Sequence, residues 1–397
     1  MRALSSSTLN RLDALMAQYV PQRVPAAVLN VWSRDGELLR RAWGWCDVDG
    51  RVPCEVDTLF DLASVTKVFV ATAFLILVNR GKVMIDAPIV SVLPEFGGEP
   101  RAISGGQDPH TKQTLPTPPH LQGQTVDPTR VTFRHLLTHT SGLAPWRALY
   151  AEIGDPPPPP RQPDALDRVT RWQRGLAAAW ACPFVDHPDA GVHYSDIGLI
   201  LLAEAVQRLT AQPLDAALTV LLEPSIGPLP IFNPAREHGV PLTRIAPTEN
   251  DPDWRRRRVW GEVHDENASG LGGVSGHAGH FQHARGVSAL GHRWLLGLLP
   301  IAPELQRMAI TPQAIHRDER RGLGWMIRSL VGSSAGDLLS AETYGHTGFT
   351  GTSLFIDPVN GLVITLLTNA VYHGREVMPS YQLRRDVHTL LAEELLA

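Results

Sequence analysis

Residues 61–70 read DLASVTKVFV. Ser64 stands three residues before Lys67, and residues at that spacing share one face of a helix. An apolar run follows at once. Residues 65–79, VTKVFVATAFLILVN, are apolar on nearly every face, so they are expected to form a buried helix that ends at Arg80-Gly81. Lysine is scarce here: of the 36 Lys and Arg residues only three are Lys, at positions 67, 82 and 112. A serine hydroxyl is a poor nucleophile without a base. A buried lysine can lose its proton because desolvation disfavours the charged form, whereas arginine stays protonated. A serine at a helix N-terminus also has free backbone N–H groups and the positive dipole end beside it. The pair therefore reads as nucleophile and base; the plain alternative is a chance Ser-x-x-Lys on a core helix.

Two more short stretches carry chemistry. In HYSDIG (193–198), Tyr194 and Asp196 precede a helix-like stretch. A phenol held near a lysine ammonium can ionise or shuttle a proton. The structural alternative is a half-buried tyrosine with Asp196 as an N-cap. In YGHTGFTG (344–351), His346-Thr347-Gly348 lies between strand signals. Glycine on an edge strand admits a close substrate backbone. The N–H of Phe349 could then join that of Ser64 as an oxyanion hole, with His346 orienting the substrate or aiding proton transfer. In isolation the same residues also read as a glycine-rich hairpin turn.

Taken in order, Ser-x-x-Lys, Tyr-x-Asp and His-Thr-Gly resemble the serine β-lactamase and penicillin-binding-protein superfamily. The branch most resembled is that of class C β-lactamases, D-alanyl-D-alanine carboxypeptidases and β-lactamase-like carboxylesterases. LLTHTSGL (136–143) and GHTGFTGTSLFIDP (345–358) are similar to that branch too, and the resemblance runs from about residue 25 to 370. It implies an active site in a cleft between two domains. Ser64 would be the acylated nucleophile, Lys67 and Tyr194 the base pair, and His346-Thr347-Gly348 the substrate-facing strand. Two departures stand out. Asp196 replaces the usual Asn, and a carboxylate there favours a charged Lys67 and leaves more to Tyr194. His346 replaces the usual Lys of β-lactamases, which implies a weaker, pH-dependent partner for an antibiotic carboxylate and weak β-lactamase activity at most.

Working outward, VHDENASGLGGVSGHAGHF (263–281) holds His264, Asp265, His277 and His280, with His283 beyond. The histidines sit among glycines and on no evident rigid helix, so a loop lining the cleft is expected, and no metal or other cofactor. The segment resembles the branch that trims cell-wall muropeptides, including cytoplasmic amidases acting on the N-acetylmuramyl–L-alanine bond. No G-x-S-x-G elbow occurs; GGVSGH comes nearest but ends in His277, which excludes the ordinary α/β-hydrolase signature.

The chain of 397 residues is 43% hydrophobic and 19% charged, with a formal charge of −4, ordinary for a globular protein. No basic stripe points to nucleic acid. Arg255–Arg258 is the one basic cluster and reads as a solvated surface loop. The longest apolar run, Val68–Val78, is too short to span a bilayer, which takes roughly 20 residues. The first 20 residues lack a secretory h-region, and Leu9, Leu12, Leu15, Met16 and Val20 fall at helical spacing. Cys46, Cys54 and Cys182 are odd in number and read as free thiols. A cytoplasmic location is expected.

Strand signals sit at both ends, PAAVLNVWS and GELLRRAWGW around Arg34-Asp35-Gly36, then GLGWMIRSL, SLFIDPV and GLVITLLTN, while helix-like stretches fill the middle. An α/β fold is expected, with an antiparallel sheet flanked by N- and C-terminal helices and a largely helical domain inserted. Residues 1–72 and 285–397 would form the first domain and 73–284 the second. Residues 98–130 read as a surface insertion, 133–143 as a short helix stopped by Gly142, and 224–258 as irregular. The expected function is a serine hydrolase for a small-molecule ester, or for an amide, peptide or muropeptide of peptidoglycan origin. The rival from another class is a penicillin-binding sensor or scaffold that acylates without turnover.

Overall fold

The computed structural model describes residues 4–109, 111–228, 231–376 and 378–396. Nine antiparallel strands form one sheet. From the N-terminal part come β1 (Ala26–Ser33), β2 (Gly36–Asp47) and β3 (Val52–Pro53). From the C-terminal part come β4 (Ala314–His316), β5 (Glu319–Arg321), β6 (Met326–Ile327), β7 (Tyr344–Thr347), β8 (Ser353–Asp357) and β9 (Leu362–Thr368). Their order is β4-β5-β6-β7-β8-β9-β1-β2-β3, so the two ends of the chain meet where β9 pairs with β1, Val28 opposite Leu367.

Alternation along these strands decides what each face buries. Leu29, Val31, Phe355, Ile364 and Leu366 point to one face. There they pack against Leu12 and Met16 of α1 (Ser6–Met16) and Leu383, Val387 and Leu391 of the final helix. Val28, Leu354, Ile356, Val363 and Leu367 point the other way, onto Val287, Leu290 and Trp294. Each such side chain contributes about 1.5–3 kcal/mol when fully buried. Gly291 lets that second helix sit close: a Cβ there would meet Val363 at 2.7 Å.

The middle of the chain supplies α2 (Thr66–Asn79), α3 (Phe133–Thr138), α4 (Arg168–Trp180), α5 (Asp196–Thr210) and α6 (Leu214–Ile226). The helix on the sheet is α7 (Ala284–Leu296), and the last is α8 (Met378–Leu395). Twelve of the 14 residues of α2 are buried, as its all-round apolar sequence requires. The expected mixed α/β architecture, with a large antiparallel sheet and helices, is the one found.

Several local expectations are corrected. Helix α3 stops at His139, whose backbone is left-handed (φ 60), and not at Gly142. Gly142 instead permits a close approach; a Cβ there would lie 2.1 Å from the Asp186 carbonyl. Of GLGWMIRSL only Met326–Ile327 is strand, and β4 and β5 had no clear alternation to announce them. The 98–130 segment is more than surface: Ile103, Leu121 and Val126 are buried, and the Ala148 N–H donates to Gln107 Oε1 at 2.9 Å. One of its residues, His110, lies outside the described set.

The arginine cluster is the largest revision. Within 224–258 a small ladder pairs Asn250–Asp251 with Arg257–Arg258. Arg255 is buried, pairs with Asp251 at 3.1 Å, and donates to the carbonyls of Val263 and His264. Arg257 clasps Glu262, and Arg258 lies 3.9 Å over the Tyr372 ring. Among the four only Arg256 is exposed. The cluster is therefore a scaffold under the histidine-rich loop. Among the described residues, no helix is long and apolar enough to cross a membrane.

Candidate active site

Ser64 sits in a 3-10 turn, Ala63–Val65, that runs straight into α2. Lys67 follows one turn later on the same face, and its Nζ donates to Ser64 Oγ at 2.7 Å. The same ammonium donates to the His277 carbonyl at 2.9 Å and pairs with Asp196 Oδ1 at 2.8 Å. The ammonium thus hydrogen-bonds Ser64 and the His277 carbonyl, while Asp196 Oδ1 meets it as an ion pair outside hydrogen-bond geometry. The Nζ also lies 4.9 Å from the centre of the Tyr194 ring. Burial pushes Lys67 toward the neutral form, but the Asp196 carboxylate and Tyr194 outweigh it, so its pKa is raised and the resting lysine is an ammonium. Burial likewise raises the Tyr194 phenol against the opposing pull of Lys67, so Tyr194 rests protonated.

Asp196 reaches Lys67 because it is not the helix cap. Ser195 caps α5, accepting the Gly198 N–H at 3.2 Å, which leaves Asp196 as the first helical residue. Tyr194 is fixed from below. His139 Nδ1 accepts the Ser195 N–H at 3.1 Å, and the His139 ring packs against Tyr194 at 4.5 Å, tilted by 40°.

His346 and Thr347 end β7. Strand β6 pairs only with Tyr344 and Gly345, so the edge beyond is open toward Ser64, although β7 is not an edge strand of the sheet. His346 Nδ1 lies 2.8 Å from the Thr347 carbonyl, which can only accept, so Nδ1 carries the ring proton and Nε2 is the acceptor. Burial, with Lys67 and Arg321 near, pushes the His346 pKa down to about 3. His346 is thus neutral at working pH, which corrects the expectation of a pH-dependent cationic partner. Gly348 is required by close packing; a Cβ there would lie 2.5 Å from the Leu62 carbonyl and 3.2 Å from Ala63.

Two chambers open on Ser64. One, about 380 Å³, is lined by Tyr194, Arg321, His346, Phe349, Tyr381 and Arg384 among others. Arg384 is buried, makes no ion pair among the described residues, and is held down to about 10 by desolvation. Arg321 of β5, paired with Glu319, and Arg384 of α8 thus bring guanidinium groups to this chamber. Neither arginine stood at a motif spacing, so no sequence signal pointed to them. The other chamber, about 300 Å³, is lined by Lys112, Trp146, Asp196, His264, Asp265, His277, Phe349 and Arg375 among others. Lys112 comes from the 98–130 segment and lies 4.3 Å over the Trp146 ring.

The histidine-rich loop lines this chamber, and its histidines are held apart by separate partners. His277 bridges Asp265 at 2.8 Å and Ser275 at 2.9 Å. His264 lies 3.1 Å from Glu249. His280 packs on Phe232 and Phe69, and burial pushes it down to about 3. His283 caps α7. Among the described residues no group of three His, Cys, Asp or Glu side chains is disposed to hold a metal.

A larger cavity, about 570 Å³, opens between α4, α5 and α6 beside Trp172 and Trp180. Its buried Glu204 already accepts from Trp172, Gln207 and Arg208, and no activated nucleophile lines it. Size alone does not make it the reactive site.

A family model described as Beta-lactamase matches residues 12–388. Esterase EstB of Burkholderia gladioli is 31% identical over 411 residues, covering 97% of this chain and 96% of that protein. A protein of Escherichia coli K12 with the provisional name D-alanyl-D-alanine carboxypeptidase is 30% identical over 389 residues, covering 91% of this chain and 82% of its own. Simvastatin synthase (LovD) from Aspergillus terreus superposes with a TM-score of 0.70 at 20% identity, over 98% of each chain. The octameric penicillin-binding protein homologue from Pyrococcus abyssi gives 0.69 at 17% identity, over 97% of this chain and 78% of that one. At such identities the structural likeness shows the fold, β-lactamase/transpeptidase-like.

Proposed function

Because the chain belongs to the Beta-lactamase family, we propose that it is a serine hydrolase working through an acyl-enzyme on Ser64. The observation that carries this reading is the buried Lys67 Nζ, 2.7 Å from the Oγ of a Ser64 that lines a substrate-sized cleft. Ser64 Oγ attacks a carbonyl carbon while its proton passes to the Tyr194–Lys67 pair. The pair returns that proton to the leaving nitrogen or oxygen. Water then attacks the ester, gives a proton to the same pair, and Ser64 leaves with it. Since both members rest protonated, the competent form carries one proton fewer, and Asp196 keeps it scarce. The N–H groups of Ser64 and Phe349 serve as oxyanion donors.

The substrate is a small ester, or an amide or peptide of peptidoglycan origin. On the His346 side Arg384, which makes no ion pair among the described residues, with Arg321 and its partner Glu319 beside it, suits a carboxylate on the substrate, as a peptide C-terminus or a muropeptide supplies. The relatives named esterase and carboxypeptidase span the same range. We place the reaction in the cytoplasm.

Tyr194→Phe keeps the ring that packs on His139 and removes the hydroxyl. It is expected to lower kcat by about 10²–10⁴-fold, the usual range for a positioned acid–base group, with little change in thermal unfolding. Full activity in this variant would make Tyr194 only a packed aromatic.

The reading as a whole is tested by comparing p-nitrophenyl acetate or butyrate with nitrocefin, following the mass of the protein. A β-lactam carboxylate has Arg384 to meet, so acylation of Ser64 is expected. The other acid–base groups lining the second chamber are engaged with partners, His277 with Asp265, His264 with Glu249 and Glu266 with Arg375, so the adduct should accumulate and the ester should turn over faster. Faster nitrocefin turnover would identify a working β-lactamase. Adduct without turnover of either compound would identify a penicillin-binding sensor.

A further inference from the structure

Asp61 is a buried carboxylate, 2% exposed, with no arginine or lysine in ion-pair contact among the described residues. Burying a charge without a partner is expensive, so what holds it matters. Oδ1 accepts the Ala63 N–H at 2.8 Å and Oδ2 accepts the His264 N–H at 2.6 Å. Its main-chain carbonyl accepts the Thr350 hydroxyl at 2.8 Å, and the neighbouring Leu62 carbonyl accepts that of Thr352, also at 2.8 Å.

These four bonds converge on the two oxyanion donors. Ala63 immediately precedes Ser64 and is held at φ 45, a left-handed conformation that disfavours a residue with a Cβ by about 1–2 kcal/mol. The Asp61–Ala63 bond sits on that strained residue. On the other side, Thr350 follows Phe349 directly, and the His264 ring stacks on the Phe349 ring at 5.6 Å and 24°. Residue 61 therefore ties the Ser64 turn to the two supports of Phe349, its carboxylate holding Ala63 and His264 and its main-chain carbonyl holding Thr350.

We infer that Asp61 is a positioning residue that sets the spacing of the Ser64 and Phe349 N–H groups, and so the fit of the oxyanion hole to the transition state. The inference rests on Ser64 being the nucleophile. In Asp61→Asn one oxygen becomes an NH2 group, which must face an N–H of Ala63 or His264. A displaced oxyanion donor acts on the transition state and not on ground-state binding.

The experiment measures kcat, KM and inhibition by a boronic acid, whose adduct places an anionic oxygen in the hole. Values are scaled to active sites titrated with a fluorophosphonate. Asp61→Asn is expected to lower kcat about 10²-fold per active site, with KM within about threefold, and to weaken the boronic acid about as much as kcat falls. Should that variant not fold, Thr350→Val removes one support while keeping the shape. It is expected to give the same split at about tenfold. Unchanged kcat and boronate affinity per active site, in whichever variant folds, overturns the inference, as does a loss shared equally by KM. Wild-type protein in which the fluorophosphonate does not label Ser64 overturns the nucleophile assignment itself, a result distinct from normal labelling with an insensitive Asp61.

Discussion

Ser64→Ala is expected to leave a folded protein with no measurable ester turnover, a loss on the order of 10⁴-fold or more in kcat. The size follows from the position. Ser64 Oγ lies within bonding distance of one candidate base, Lys67, and both chambers open on it. No second nucleophile is offered: Ser275 touches His277 at 2.9 Å but is fully buried. Removing a half-exposed hydroxyl from a 3-10 turn takes away no core packing, so thermal unfolding should move little. The measurement is hydrolysis of p-nitrophenyl butyrate with the unfolding curve of the same preparation. Retained turnover in a folded variant would falsify the assignment of Ser64.

Lys67→Arg should be nearly as damaging, and it separates two roles. If Lys67 only neutralises Asp196, an arginine keeps the charge and the enzyme should work. If Lys67 must exchange a proton with Tyr194 and Ser64, arginine cannot, since it stays protonated. The packing argues the same way. Lys67 is 1% exposed, and its Nζ is shared among Ser64, Asp196 and the His277 carbonyl, a point-like arrangement that a planar fork does not match. Truncation to alanine would be a poorer test. It leaves Asp196 facing the cavity without its partner, and breaking a buried pair destabilises by about 3–5 kcal/mol. A Lys67→Arg enzyme within a few-fold of wild type, compared as kcat/KM, would end the proton-transfer argument and leave Lys67 as a counter-ion.

Much of this site was readable along the chain because its chemistry is local. Ser64 and Lys67 are one helical turn apart, so spacing alone places them together. The all-apolar run of α2 told that the pair would be buried, and strand alternation at both ends told that one sheet would be made from both. His139 was within reach too, since it lies in the quoted LLTHTSGL. What was not readable depends on elements distant in sequence. Nothing in DPDWRRRRVW says that Arg255 turns inward, because its acceptors are carbonyls of residues 263 and 264 set by the loop's own path. Arg321 and Arg384 reach the Ser64 chamber only because β5 ends there and the first turns of α8 line it. Asp196 looked like a cap until Ser195 took that role. Asp61 stands in the opening decapeptide itself, yet its function is visible only once the chain returns at 264 and 350 to place one N–H and one hydroxyl upon it. The sequence determined which groups could react; the tertiary structure decided their protonation states and spacing, because both depend on which charges, carbonyls and N–H groups the fold brings within about 3 Å, the range of a hydrogen bond.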